Sequence, residues 1–359
     1  MTIETPEATA TADPRDPRRA ASVPRRAGVI LAGLIILAAL AWASLFVGSG
    51  DISAARTLEI LAAWTRGELP AGERGTAELI ILERRLPRTI LAILVGAALG
   101  VSGTLMQALT RNPLADPGLL GVNAGAYTAV VLGSATMGIT IGTAHVWLAL
   151  GGALITAVVV YGIGTSGRLG GSPVKLVLTG VALGAVLSGL SHGITLAMPE
   201  VFDKVRFWSA GSLQGRTFDE VTAVLPFLAV GAVFAVLLPA ALNALALGDD
   251  AAVALGARPT LTRLLGLAAV TLLCGAATAA AGPLSFIGLI VPHALRMLLG
   301  PDHRWLVPMS LLAAPILMLA ADELARLAVA AELPTGVVTA FLGAPVLITL
   351  TRRKGVREL

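Results

Sequence analysis

The sequence is poor in charge, and it has one cysteine. Of its 359 residues only 13% are Asp, Glu, Lys or Arg, about half the share carried by a soluble domain. That scarcity excludes an ordinary soluble enzyme and a disordered chain. The one cysteine, Cys274, excludes an internal disulfide framework, and its apolar surroundings predict a buried small hydrophobe. No G-x-x-x-x-G-K-[ST] phosphate loop, no G-x-S-x-G elbow and no H-E-x-x-H pair occurs, so any energy from ATP must come from another chain. The pI near 9.8 comes without a basic stripe interleaved with aromatics, which argues against nucleic acid. No histidine, cysteine or carboxylate set stands at metal-ligand spacing.

What the chain has is apolar length. Hydrophobic residues make up 56%, the mean hydropathy is +0.84, and the apolar runs are unbroken rather than alternating, against a β-barrel. A helix crosses the bilayer core with about 20 apolar residues. The pattern predicts an all-α, polytopic transmembrane bundle of ten spans, near 28–48, 89–109, 119–138, 145–165, 174–197, 220–245, 263–281, 284–299, 305–325 and 336–351. The eighth is short and bent by Pro292. Residues 52–83 are too polar to span and are expected to form short amphipathic or irregular surface structure. Residues 1–27 read as a disordered cytoplasmic tail, 28–351 as the transmembrane domain, and 352–359 as a basic cytoplasmic tail. The first apolar run is longer than a signal-peptide core and lacks a clear A-x-A site, so it is expected to be retained. With both termini inside, sixteen of the 26 Lys and Arg residues lie inside and ten outside, as the positive-inside rule prefers.

Five segments carry more than hydropathy. Arg84, Arg85 and Arg88 crowd the start of span 2 on the outer side, where a helix dipole disfavours cations, so a compensating negative group or an acidic partner is required. Arg111–Gly118 forms a rigid inner turn in which Asp116 is placed to accept from backbone donors. Asn243–Pro259 keeps Leu245, Ala252 and Leu255 at helical spacing, broken by Gly248 and Gly256. Asp249 and Asp250 stand at a helix start, so two short amphipathic helices facing the cytoplasm are expected. Gly282–His293 holds two helix-bending prolines; His293 reads as a structural residue, and His192 in span 5 faces an interior. Asp322 and Arg326 lie four apart and are expected to pair.

Together the stretches RLPRTILAILVGAALGVSGTLMQALTRNPLADPGLLGVNAGA, LALGDDAAVALG, GPLSFIGLIVPHALR and ELPTGVVTAFLGAP resemble the FecCD-type permease subunits of ABC importers for iron-siderophores, haem and vitamin B12. The resemblance runs from about residue 80 to the C-terminal end. It implies a transport subunit rather than an enzyme, multi-pass in the bacterial cell (inner or plasma) membrane. It implies pairing with a second permease subunit as a homo- or heterodimer, separate ATPase subunits that use ATP, an extracytoplasmic solute-binding protein, and no cofactor bound by this chain. By position, Arg85, Arg88 and Arg326 match arginines that meet acidic residues of the binding protein. Leu247, Gly248, Asp249, Asp250, Leu255 and Gly256 match the coupling helices that fit the ATPase. Ser172 and Pro173 match the inner gate, and Thr179, Ser188, Ser191 and His192 match the pathway. The connector from Arg326 to Glu332 is short for the family, and the gate loop reads Gly-Gly-Ser-Pro. Ferric siderophore is the expected cargo, with haem or cobalamin as alternatives. A secondary transporter driven by an ion gradient would want carboxylates near the midplane, and the Asp and Glu residues cluster in loops and span ends instead.

Overall fold

The structure is a computed structural model describing residues 22–48, 52–68, 75–139, 142–166, 173–329 and 332–352. Every regular element among them is helical. In chain order they are α1 (Ser22–Phe46), α2 (Ala54–Thr65), α3 (Leu86–Thr110), α4 (Val122–Met137), α5 (Thr143–Thr165), α6 (Pro173–Ala197), α7 (Pro199–Ser209), α8 (Phe218–Leu237), α9 (Pro239–Ala246), α10 (Asp249–Ala254), α11 (Pro259–Ala281), α12 (Ile287–Leu299), α13 (His303–Ala328) and α14 (Thr335–Arg352). Each of the ten expected spans overlaps one long or medium helix. Seven are long and apolar enough to cross a bilayer, with α4, α12 and α14 shorter. α1 begins at Ser22, ahead of the expected first span at 28.

Two boundaries differ from expectation for identifiable reasons. The sixth span was expected to run to 245, but α8 stops at Leu237 and α9 restarts at Pro239. Proline has no N–H to continue the ladder and its ring collides with the preceding turn. The eighth starts at Ile287, because Gly282–Phe286 is irregular. That non-helical stretch is covered by protein: Gly282 packs on the Trp208 carbonyl, and a Cβ on Gly211 would lie 2.7 Å from the Pro283 carbonyl oxygen. Irregular backbone at membrane depth survives only under such cover. Residues 52–68 and 75–85 form α2, a short helical turn (Thr76–Leu79) and a π-helical segment (Ile80–Arg85) that runs into α3.

α3 is the hub. It is 78% buried along its apolar window, against 17% for α6 and 11% for α1. Small residues make this closeness possible. A Cβ on Gly96 would lie 2.8 Å from the Cα of Pro315, one on Gly100 2.3 Å from the Ala314 Cβ, and one on Gly103 2.0 Å from the Gly288 carbonyl oxygen. α13 and α12 therefore pack backbone-to-backbone on α3, with a Thr104–Ser310 hydroxyl pair at 2.7 Å joining α3 to α13. Cys274 is buried in α11, as expected.

Candidate functional site

α13 ties two distant corners together. Its 26 residues span roughly 39 Å at about 1.5 Å per residue. Its C-terminal end meets the arginines of the α3 start, and its N-terminal end meets the α9–α10 element.

At the first corner the Arg88 guanidinium donates through Nε and Nη2 to Asp322 at 3.0–3.3 Å and through Nη1 to Glu332 at 2.7 Å. Asp322, fully buried, also pairs with Arg326 at 3.2 Å and accepts from the Thr335 hydroxyl at 2.9 Å. Arg326 donates to the Ser44 carbonyl at 2.9 Å, the Ser44 hydroxyl at 2.7 Å and the Val47 carbonyl. Arg85 donates to the carbonyls of Leu45, Phe46 and Gly48 at 3.0–3.3 Å. The last carbonyls of a helix have no intrahelical partner and carry the negative end of its dipole. Arg85 and Arg326 thus cap α1, and the two carboxylates balance Arg88. The compensation that the arginine cluster demanded lies within the chain itself. Arg85, Arg88 and Arg326 are only 5–8% exposed, whereas Arg84 is exposed and donates to the Gly215 carbonyl at 3.0 Å. The Asp322–Arg326 pair was legible from its spacing. The Arg88–Asp322 pair, 234 residues apart in sequence, was not.

At the second corner α9 and α10 form two short helices parted by Gly248, with Gly256 just after α10. Both glycines adopt positive φ, 107° and 82°, with open space where a Cβ would sit, so backbone conformation is what calls for glycine there. Leu242, Leu245 and Ala252 face inward, while Leu247, Val253 and Leu255 are 60–68% exposed. Of the three residues at helical spacing, Leu245 and Ala252 are buried and Leu255, one residue beyond the end of α10, is exposed. Asp249 sits between Arg263 at 2.7 Å and Arg111 at 3.0 Å, and Arg111 also donates to the Leu245 carbonyl at 2.6 Å. The Arg263 hydrogen bond, then the charges of Arg263 and Arg111, hold the Asp249 carboxyl below its ordinary value. Asp250 is exposed. The Asn243 side chain donates to Asp302 at 2.6 Å and accepts from the His303 N–H at 3.0 Å, fastening α9 to the start of α13. Asp116 accepts from the Gly118 N–H at 2.8 Å, closing the turn before α4 as its position predicted.

A cavity of about 430 Å³ opens where α4, α6 and α7 meet. Ser188 and His192 line it. Ser191 does not: it is buried, donates to the Leu187 carbonyl at 2.8 Å, and meets Thr128 of α4 at 2.8 Å. Thr179 donates back to the Lys175 carbonyl at 2.8 Å, outside the cavity wall. Pro173 starts α6, and Ser172 lies outside the described residues. Sequence reasoning missed three polar lining residues, Asn123, Tyr127 and Ser209. Tyr127, one of only two tyrosines, was the available signal. Among the described residues no group of three or more His, Cys, Asp and Glu could hold a metal ion.

Comparison with known proteins places this architecture. The FecCD transport family model matches residues 35–353. The chain is 50% identical over 329 residues to the ferric enterobactin transport system permease protein FepD of Escherichia coli K12, covering 91% of this chain and 96% of that one. It is 42% identical to the probable siderophore transport system permease protein YfiZ of Bacillus subtilis 168, over 78% of this chain and 84% of that one. Among solved structures, an inward-facing conformation of a putative metal-chelate type ABC transporter matches with a TM-score of 0.76 and 26% identity, covering 90% of this chain and 98% of that one. The seven long apolar helices, the glycine-packed hub and matches spanning nearly the whole sequence agree: the chain belongs to the FecCD transport family, as a membrane permease subunit of the ABC-importer kind.

Proposed function

We propose that this permease carries a ferric siderophore across the bacterial cell (inner or plasma) membrane, both termini inside, paired with a second permease subunit. The observation that carries the reading is the 50% identity, over 91% of the chain, to a permease named for ferric enterobactin. A substrate-binding protein docks on the corner built around Arg88 and Asp322. Arg85, Arg88 and Arg326 serve that docking from within. They lock the α1 end, the α3 start and the Glu332–Thr335 segment into one rigid rim, and Arg84 offers the exposed cation for an acidic partner side chain. Leu247, Gly248, Asp249, Asp250, Leu255 and Gly256 meet the ATPase subunits, which use ATP. The exposed apolar triplet Leu247, Val253 and Leu255 beside exposed carboxylates supports this, since an apolar core with a charged rim is the usual anatomy of a protein interface. Cargo passes along α6 by way of Ser188 and His192, with Thr179 and Ser191 on the same helix and the Ser172–Pro173 turn as the inner gate. Alternating access then comes from rigid-body rocking, driven by partners that bind the two states unequally.

The test is import into vesicles holding this permease, its ATPase and its binding protein. Ferric siderophore should accumulate only with ATP inside the reach of the ATPase and with binding protein on the opposite side. Accumulation of haem or cobalamin alone would reassign the cargo, and uptake driven by a proton or sodium gradient without ATP would overturn the mechanism.

A further inference from the structure

The cavity between α4, α6 and α7 has a wall chemistry more specific than a general path. Tyr127 and His192 adjoin each other in its wall, ring centroids 6.2 Å apart and planes tilted by 60°. Tyr127 is backed by Trp208, nearly parallel at 21° with centroids 6.5 Å apart, and Trp208 by His145, edge-on at 5.7 Å. Trp208 and His145 are each only 1% exposed, so Tyr127 is braced by a buried aromatic column. Asn123, Ser188 and Ser209 add neutral polar groups, and among the described residues no lining residue is Asp, Glu, Lys or Arg. His192 is held in place through Nδ1, 2.7 Å from the Ser188 carbonyl. The floor is opened by glycines: Gly180 packs so tightly on the Leu119 carbonyl that a Cβ would lie 2.2 Å from it. The volume falls within the range of small-ligand pockets.

Such a wall offers ring faces and neutral hydrogen-bonding groups but no fixed countercharge. A chelate whose periphery is aromatic finds an offset or edge-to-face partner in Tyr127 and His192. Resting on the reading of the chain as a metal-chelate permease, we propose that this cavity is an aryl-recognition niche, in which Tyr127 and His192 hold an aromatic ring of a catecholate-type chelate during passage.

The test uses the assembled importer, permease with its ATPase and without nucleotide, and saturation-transfer NMR of two diamagnetic gallium(III) chelates. One is gallium enterobactin, a tris-catecholate; the other is gallium desferrioxamine, a trihydroxamate without rings. The wild type should saturate the catecholate ring protons and leave desferrioxamine untouched. Y127L should weaken enterobactin binding about tenfold, and Y127F should keep it within about twofold, because the ring rather than the hydroxyl is the contact. Equal saturation of both chelates by the wild type would overturn the niche, as would Y127L binding enterobactin like the wild type. Should Y127L not fold, judged by its denaturation midpoint, H192L takes its place with the same expected loss. Import of ferric siderophore by the wild type, measured separately, tells failure of the niche from failure of the transport reading.

Discussion

Asp322 and Asp249 each stand between two arginines, at opposite ends of the rod formed by α13, yet they live in different physics. The Asp322 side chain is 0% exposed and those of its partners Arg88 and Arg326 10% and 1%. The Asp249 side chain is 48% exposed, with Arg111 at 36% and Arg263 at 20%. Removing one partner of a buried ion network strands uncompensated charge in a medium that cannot solvate it. Removing one partner of a solvated network lets water take its place. The same constellation is therefore a fixed rivet at the start of α3 and a yielding contact beside α10.

That contrast can be broken by experiment. The largest effect is expected for D322A, which takes the carboxylate partner from buried Arg326 and leaves Arg88 with Glu332 alone. Loss of about 3–5 kcal/mol is expected, read as a drop in the denaturation midpoint of the solubilised permease. A change no larger than that of D249A would erase the distinction. Next comes E332Q, which weakens one charge-assisted bond to Arg88 while Asp322 still neutralises it. A cost of about 1.5–3 kcal/mol is expected on the same measurement. D249A follows, at under about 1 kcal/mol, and molar salt should abolish its effect while leaving that of D322A intact, because a solvated pair is screened and a buried one is not.

The smallest effect concerns pH. The Asp249 carboxyl titrates below its ordinary value of 3.8 in the folded chain. Its contribution is then fully present above 3.8 and fades as pH falls through the lower folded value. Hydrogen exchange in α10 should therefore quicken only on acidification below about pH 4, and D249N should remove that step. Quickening between pH 6 and 8 would point to another group.

Much of this was readable along the chain because it is local. Hydropathy located the helices, since a run of apolar residues needs no partner to declare itself. The Asp322–Arg326 pair and the Asp116 turn follow from spacings of four and two residues. Gly248 marked the break between α9 and α10. Other features escaped for equally physical reasons. Hydropathy read through Pro239 because proline disturbs the helical ladder without changing the apolar average. Ser191 and His192 are neighbours in sequence, but one turns into the α4 seam and the other into the cavity, and only helix rotation decides which.

Apolar length and charge scarcity already dictated that this chain must live as packed helices in lipid, because so many apolar side chains and so few charges have no other stable home. Which arginine found which carboxylate, and that Tyr127 and His192 came to adjoin each other, waited on the tertiary structure. Those pairings join α3 to α13 and α4 to α6 across long stretches of sequence, where the approach of two backbones, set by glycines at their crossings, chooses the partner.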